Sequence, residues 1–225
     1  IGCKGCKRDC PSGVDMAKLK TEVKHEHHNR EGIPFRDKLF ANVETLYSLG
    51  STLAPVSNWA TKLPGSGVIM EKTLGIARER ELPTFTRETL QKWNRSRTPA
   101  VSEHEADRKA LVIADPYTNY THPEVGKAAV RTLEAAGVHV DIPDEVTDSG
   151  RPAHSKSLID QSRATARANT EALVDYIEAG WDIISVEPSD AVMYQEDYLD
   201  LLSGDGVEAV SKNTYSIMEY LDRFQ

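Results

Sequence analysis

Ala110-Leu111-Val112-Ile113-Ala114-Asp115-Pro116-Tyr117-Thr118-Asn119-Tyr120-Thr121-His122-Pro123-Glu124-Val125-Gly126-Lys127-Ala128-Ala129 is the stretch that decides the fold. Ala110–Ala114 is a short apolar run without alternation, which predicts a strand buried on both faces. Thr121 and Glu124 have capping-box spacing, and the helix they open runs to Ala136, with Gly137 closing it. The pattern repeats outward. Val138–Ile142 reads as a strand, Ser157–Ala179 as a long helix closed by Gly180, and Asp182–Val186 as a third strand. Ala191–Leu202 and Thr214–Phe224 read as helices. Strands alternating with helices predict a mostly parallel sheet in a three-layer α/β domain over residues 107–225.

Upstream the pattern changes. Val14–Asn29, Phe35–Leu53 and Val68–Ala77 read as helices, stopped by Gly32 with Pro34, by Pro55, and by a polar stretch. Residues 1–78 are expected to be helical, and 79–106, rich in Arg, Thr and Pro, to be a linker or strap. Charge divides the same way. Residues 1–100 hold 17 Lys and Arg against 11 Asp and Glu, whereas 101–225 hold 10 against 24. The acidic second half excludes nucleic acid as its partner. The basic half lacks a basic helix or stripe and is expected to be solvated or docked on acidic protein. No apolar run reaches 18 residues, so no transmembrane segment is expected. The first residues, Ile1-Gly2-Cys3, are neither a signal peptide nor a Met start, and predict a piece of something longer.

All three cysteines fall within Cys3-x-x-Cys6-x-x-x-Cys10-Pro11. An odd, tight set is no disulfide framework; it points to metal in a reducing compartment, cytoplasmic or peripheral to a membrane. The run C-x2-C-x2-C-x3-C-P binds [4Fe–4S] clusters, its fourth Cys serving a second cluster. This chain carries the last three cysteines and the proline. Lys4, Lys7 and Arg8 favour thiolates there. The spacing favours a cluster. A zinc knuckle completed by His25, His27 or His28, or free thiols, are the other readings.

Cys6-Lys7-Arg8-Asp9-Cys10-Pro11-Ser12-Gly13-Val14-Asp15-Met16-Ala17-Lys18-Leu19-Lys20 resembles the second cluster motif of FAD-linked oxidases fused to an iron–sulfur region. These are large proteins related to D-lactate, glycolate and D-2-hydroxyglutarate dehydrogenases. Asp115–Ala129 resembles the start of that family's cysteine-rich (CCG-type) terminal domain, also found in anaerobic glycerol-3-phosphate dehydrogenase and heterodisulfide reductase subunits. The resemblance implies the tail of a helical dicluster ferredoxin-like domain over residues 1–78. Cys3 and Cys6 would then bind one [4Fe–4S] cluster and Cys10 another, both ligand sets being incomplete here. It implies a flavoprotein parent with FAD elsewhere, a 2-hydroxy-acid substrate, and a quinone or carrier protein as electron acceptor. No catalytic residue is expected on this chain.

The departures are specific. Where the family has Cys-Cys-Gly-Arg-Pro this chain has Asp148-Ser149-Gly150-Arg151-Pro152, and where it has Glu-Pro-Ser-Cys this chain has Glu187-Pro188-Ser189-Asp190. Carboxylates and hydroxyls are poor ligands for a soft cluster, so the terminal domain is expected to be degenerate and structural. Asp115, Asp148, Glu187, Asp190 and His154 are nonetheless expected to surround a cleft beyond the strand ends. A hard-metal or substrate site is one reading. A vestigial polar pocket closed by an Arg151–carboxylate pair is the favoured one. A non-redox docking module remains the rival to electron transfer. Gly65-Ser66-Gly67 follows no strand and lacks the last glycine of a dinucleotide fingerprint.

Overall fold

The computed structural model describes residues 9–224. Helix α1 (Met16–Glu31) is capped by Asp15, whose carboxylate accepts the Lys18 N–H at 2.9 Å, and stops at Gly32 in a positive-φ conformation. The single helix expected over Phe35–Leu53 is two, α2 (Phe35–Ala41) and α3 (Val43–Thr52). The break is at Asn42, whose side-chain amide donates to the Lys38 carbonyl at 2.7 Å and competes with the helical ladder. α4 (Val56–Thr61), not expected, follows Pro55, and α5 (Ser66–Leu74) lies between the left-handed Gly65 and Gly75.

Within the polar stretch 79–106 lies another unexpected helix, α6 (Leu90–Ser96), capped by Thr89. The segment is tightly seated. Leu90 is fully buried against Gly126, where an added Cβ would overlap the Leu90 Cδ2 and lie 3.0 Å from Cδ1. At Gly50 a Cβ would come within 2.6 Å of the Phe85 ring. Gln91 donates to the Pro143 carbonyl at 3.0 Å, and the nearly buried Arg97 and Glu134 side chains form an ion pair.

Then come β1 (Arg108–Ile113), α7 (Pro116–Tyr120), α8 (Pro123–Ala135), β2 (Val138–Asp141), α9 (Arg151–Ser155), α10 (Ile159–Glu178) and β3 (Trp181–Ser185). α11 (Pro188–Val192) passes through a π turn, Met193–Asp197, into α12 (Tyr198–Leu201). The chain ends with α13 (Asp205–Lys212), β4 (Thr214–Ser216) and α14 (Ile217–Phe224). The sheet is all parallel, in the order β2-β1-β3-β4. β4 occupies the start of the helix expected over Thr214–Phe224. The Asn213 carbonyl accepts the Ile183 N–H at 2.8 Å there, and Ile183, Ile184 and Ser185 pair with Thr214, Tyr215 and Ser216.

Successive β1 residues face opposite ways. Ala110 and Val112 pack with Leu90, Val130, Leu133, Val140 and Tyr220. Leu111 and Ile113 pack with Ile159, Leu173, Tyr194, Tyr198 and Val210. Helices therefore cover both faces, which explains why the run is apolar at every position. The expected α/β architecture with a parallel sheet is borne out.

The basic first half is held to the acidic second half by polar contacts. Lys18 pairs with Asp200 at 2.5 Å and Arg95 with Asp144 at 2.9 Å. The Tyr120 hydroxyl donates to Glu44 at 2.9 Å. A small apolar contact joins Ala41 to Ala153 and Leu158. Among the described residues no helix is long and apolar enough to cross a membrane.

Candidate functional site

The strand order reverses between β1 and β3, and in open parallel sheets the crevice beyond the strand ends forms at that switch point. Asp115 leaves β1 there and Glu187 follows β3. Asp115 is buried and caps α7. Its Oδ1 accepts the Tyr117 and Thr118 N–H groups at 2.9 and 3.1 Å, and its Oδ2 accepts the Thr118 hydroxyl at 2.5 Å. The expected Thr121–Glu124 capping box is not formed. Asp115-Pro116 opens a short helix first, α8 starts at Pro123 with no side-chain cap, and Glu124 pairs with Lys127 at 3.2 Å.

The Asp148–Pro152 loop is the second wall. Asp148 Oδ1 accepts the Gly150 N–H at 2.9 Å, which holds Gly150 in the left-handed conformation, φ 82°. A Cβ at Gly150 would sit 3.2 Å from the Ser162 carbonyl oxygen, so glycine is needed on two counts. The Ser149 hydroxyl donates to Asp190 Oδ1 at 2.6 Å and accepts the Arg151 N–H at 3.2 Å. Ser149 and Asp190 are both buried.

Side chains that sequence reading did not single out close the site. Asn169, in mid-α10, donates to the Asp148 carbonyl at 2.7 Å and to the Tyr198 hydroxyl at 2.8 Å. Tyr198 in turn donates to the Ser149 carbonyl at 2.9 Å. Tyr194 and Tyr198 are fully buried, four residues apart across the π turn. That spacing and the lone Asn inside an amphipathic helix were the available signals, and both read equally well as ordinary core.

Burial dominates the electrostatics. It pushes Asp190 up to about 7, against the stabilising Ser149 hydrogen bond and with the Asp115 charge adding to the rise. Burial likewise raises Asp148 to about 6, opposed by the Gly150 N–H and reinforced by Glu44 and Asp115. Asp115 is raised by burial, with its Thr118 bonds pulling the other way and the Glu187 charge adding a little. Glu44 comes from α3, so the first half of the chain contributes charge to this cluster.

The structure thus brings Asp115, Asp148, Ser149 and Asp190 together. Glu187 stands at the edge, capping α11 through the Ser189 N–H at 3.3 Å. Arg151 does not close the cluster as expected. It is exposed, among the described residues it forms no ion pair, and its charge only lowers Asp190 from a distance. The hydrogen-bond partner of Asp190 is the Ser149 hydroxyl instead. His154 stands on α9, its N–H bonded to the Gly150 carbonyl at 3.0 Å. Two surface cavities, of about 430 and 420 Å³, lie away from these residues, one beside Arg167 and Gly204, the other beside Ser66 and Arg80.

Cys3 and Cys6, like Lys4, Lys7 and Arg8, lie outside the described residues. Cys10 is half-buried in a turn, and its Sγ accepts the Val14 N–H at 3.4 Å. Two of the three nearby histidines are engaged elsewhere, and His27 is exposed. A ring nitrogen of His25 meets the Ser157 carbonyl at 3.2 Å. His28 is buried 3.8 Å from Asp37, and burial lowers its pKa. Among the described residues no three His, Cys, Asp or Glu side chains are placed to hold a metal ion.

Compared with known proteins, the chain is 26% identical to a D-2-hydroxyglutarate dehydrogenase of Escherichia coli over 208 residues, covering 88% of this chain and 20% of that protein. It is 24% identical to the D-2-hydroxyglutarate dehydrogenase of Haemophilus influenzae over 212 residues, 90% of this chain and again 20% of the relative. It is 25% identical over 173 residues to one of the subunits of the anaerobic glycerol-3-phosphate dehydrogenase of E. coli, covering 76% of this chain and 43% of the relative. The chain therefore spans about a fifth of the length of the first two and under half of the third. No family model and no solved structure matches it. The family resemblance drawn from Cys6–Lys20 and Asp115–Ala129 is borne out by these relatives.

Proposed function

We propose that this chain is the electron-transfer piece of a larger flavin-linked dehydrogenase acting on a 2-hydroxy acid such as D-lactate or D-2-hydroxyglutarate. The observation that carries the reading is Cys3-x-x-Cys6-x-x-x-Cys10-Pro11 at the head of a sequence similar to such dehydrogenases over about nine-tenths of its length. Cys3 and Cys6 would ligate one [4Fe–4S] cluster and Cys10 a second, and bound clusters supply one-electron transfer. The remaining ligands and the FAD belong to the rest of the parent, and a quinone or carrier protein takes the electrons. Residues 1–78 are then the tail of a dicluster domain, 79–106 a strap, and 107–225 a CCG-type domain without its cysteines. A reducing compartment, cytoplasmic or at a membrane face, suits the thiols.

What the chain's own residues do is define and insulate. The Val14 N–H holds the Cys10 sulfur. The Ser149–Asp190 pair and the Asn169–Tyr198 bonds fill the place where the resemblance expects thiolates. Hard oxygen donors that already satisfy one another do not fit a soft cluster, so the terminal domain is structural.

Anaerobic purification with iron and acid-labile sulfide analysis tests this. Full-length parent should carry both clusters, and Cys10→Ser should lose the iron of one. The 225-residue chain alone should fall short of a full cluster. Stoichiometric iron and sulfide on the chain alone would overturn the divided ligand set, and an iron-free parent would overturn the reading altogether.

A further inference from the structure

Two helices of the first half are inside out. On α1, Lys24, His25 and the buried His28 face the rest of the protein, through Asp37 and the Ser157 carbonyl. Met16, Leu19 and Val23, three and four residues apart and so on one side of the helix, are exposed, Val23 to 71%. α3 repeats this. Glu44, Gly50 and Ser51 turn inward, to Tyr120, Phe85 and the Thr86 carbonyl. Leu46, Leu49 and Leu53 turn outward, and Val56 and Trp59 (65% exposed) prolong the stripe through α4. Of seventeen exposed large hydrophobics among the described residues, thirteen lie between Val14 and Ile69. An ordinary surface helix has the opposite arrangement, and an exposed apolar concentration of this kind marks an interface.

We infer that the outward stripe Leu46–Leu49–Leu53–Val56–Trp59, with the Met16–Leu19–Val23 face of α1, is the docking surface for the remaining polypeptide of the parent enzyme. The inference rests on the proposed function and specifies where the two parts meet. Two observations choose this occupant. The relatives are about five times as long as the matched segment, so a large body of protein stands ready to cover it. The α1 face begins six residues after Cys10, and the missing ligands of the Cys10 cluster must approach that same neighbourhood.

Hydroxyl-radical footprinting with mass spectrometry reads the side chains directly. Met16, Leu49, Leu53 and Trp59 should oxidise at least fivefold more slowly in the full-length parent than in the 225-residue chain. In the chain alone their rates should not change with protein concentration or with added anionic lipid vesicles. Equal rates in chain and parent would overturn the inference. So would protection of the chain that grows with concentration, which means a second copy, or that appears only with vesicles, which means a membrane surface. Iron and flavin content of the same parent sample separates the two claims. A parent with both cofactors but an unprotected stripe sinks the docking surface alone. A protected stripe in an iron-free parent keeps the surface and sinks electron transfer.

Discussion

The α/β half and the helical half solve burial in opposite ways. Around the sheet, apolar residues point inward on both faces, and even the connecting segment sends Leu90 into the core. In α1 and α3 the inward positions are polar or small and the leucines point out. The helical half buries few apolar side chains of its own and leaves a row of them exposed. A domain must bury its apolar faces against something, and among the described residues the first half does so only locally, at Ala41 against Ala153 and Leu158 and at Leu90 in the core of the second half.

The largest expected contrast is between core and stripe. Leu90→Ala should cost about 2–5 kcal/mol by urea unfolding, since it empties a closed site, whereas Leu49→Ala should stay within about 0.5 kcal/mol in the same chain. A comparable loss at Leu49 would break the comparison. Gly126→Ala should cost about 1–3 kcal/mol by overpacking against Leu90. The cost should shrink in the Leu90→Ala background, because the two sites share one contact.

The buried carboxylates sharpen the comparison through pH. Asp190 and Asp148 have folded pKa values raised to about 7 and about 6, from 3.8. The folded state therefore holds protons that the unfolded chain releases. Stability from these groups is full below about pH 4 and is lost as pH rises to about 7. The slope is at most about 1.4 kcal/mol per pH unit for each group. Asp190→Asn should flatten the upper part of that decline, in unfolding curves taken from pH 4 to 8; an unchanged profile would show that burial is not what sets the cluster. The smallest effect is expected at the joint between halves. Lys18 and Asp200 are exposed, so Lys18→Ala should change stability by about 0–1 kcal/mol, and less still in high salt.

Much of the second half was legible because its signals are local. Ala110–Ala114 is apolar at every position, Gly137 and Gly180 end helices, and both strands that flank β1 were readable from their place in the alternation of strands and helices. β4 was not. Its three residues sit in a helix-compatible sequence, and pairing with β3 decides their state. The break at Asn42 and the helix within 79–106 were missed for related reasons, a side-chain bond back to the ladder and a docking site supplied by Gly126. Of the polar cluster, Asp115, Asp148, Ser149 and Asp190 were foreseen together. Asn169 and Tyr198, which close it, were hidden among core positions, and it is the Ser149 hydroxyl, with Arg151 exposed, that bonds Asp190.

By itself the sequence determined the class of sheet, the chemistry offered at its cysteine end and the absence of sulfur ligands of the cysteine type beyond Cys10, since period, ligand type and composition are written residue by residue. Only the tertiary structure decided which side of each helix is covered. Inward and outward are properties of neighbours, and the spacing of Met16, Leu19 and Val23 or of Leu46, Leu49 and Leu53 does not say which side of its helix is covered.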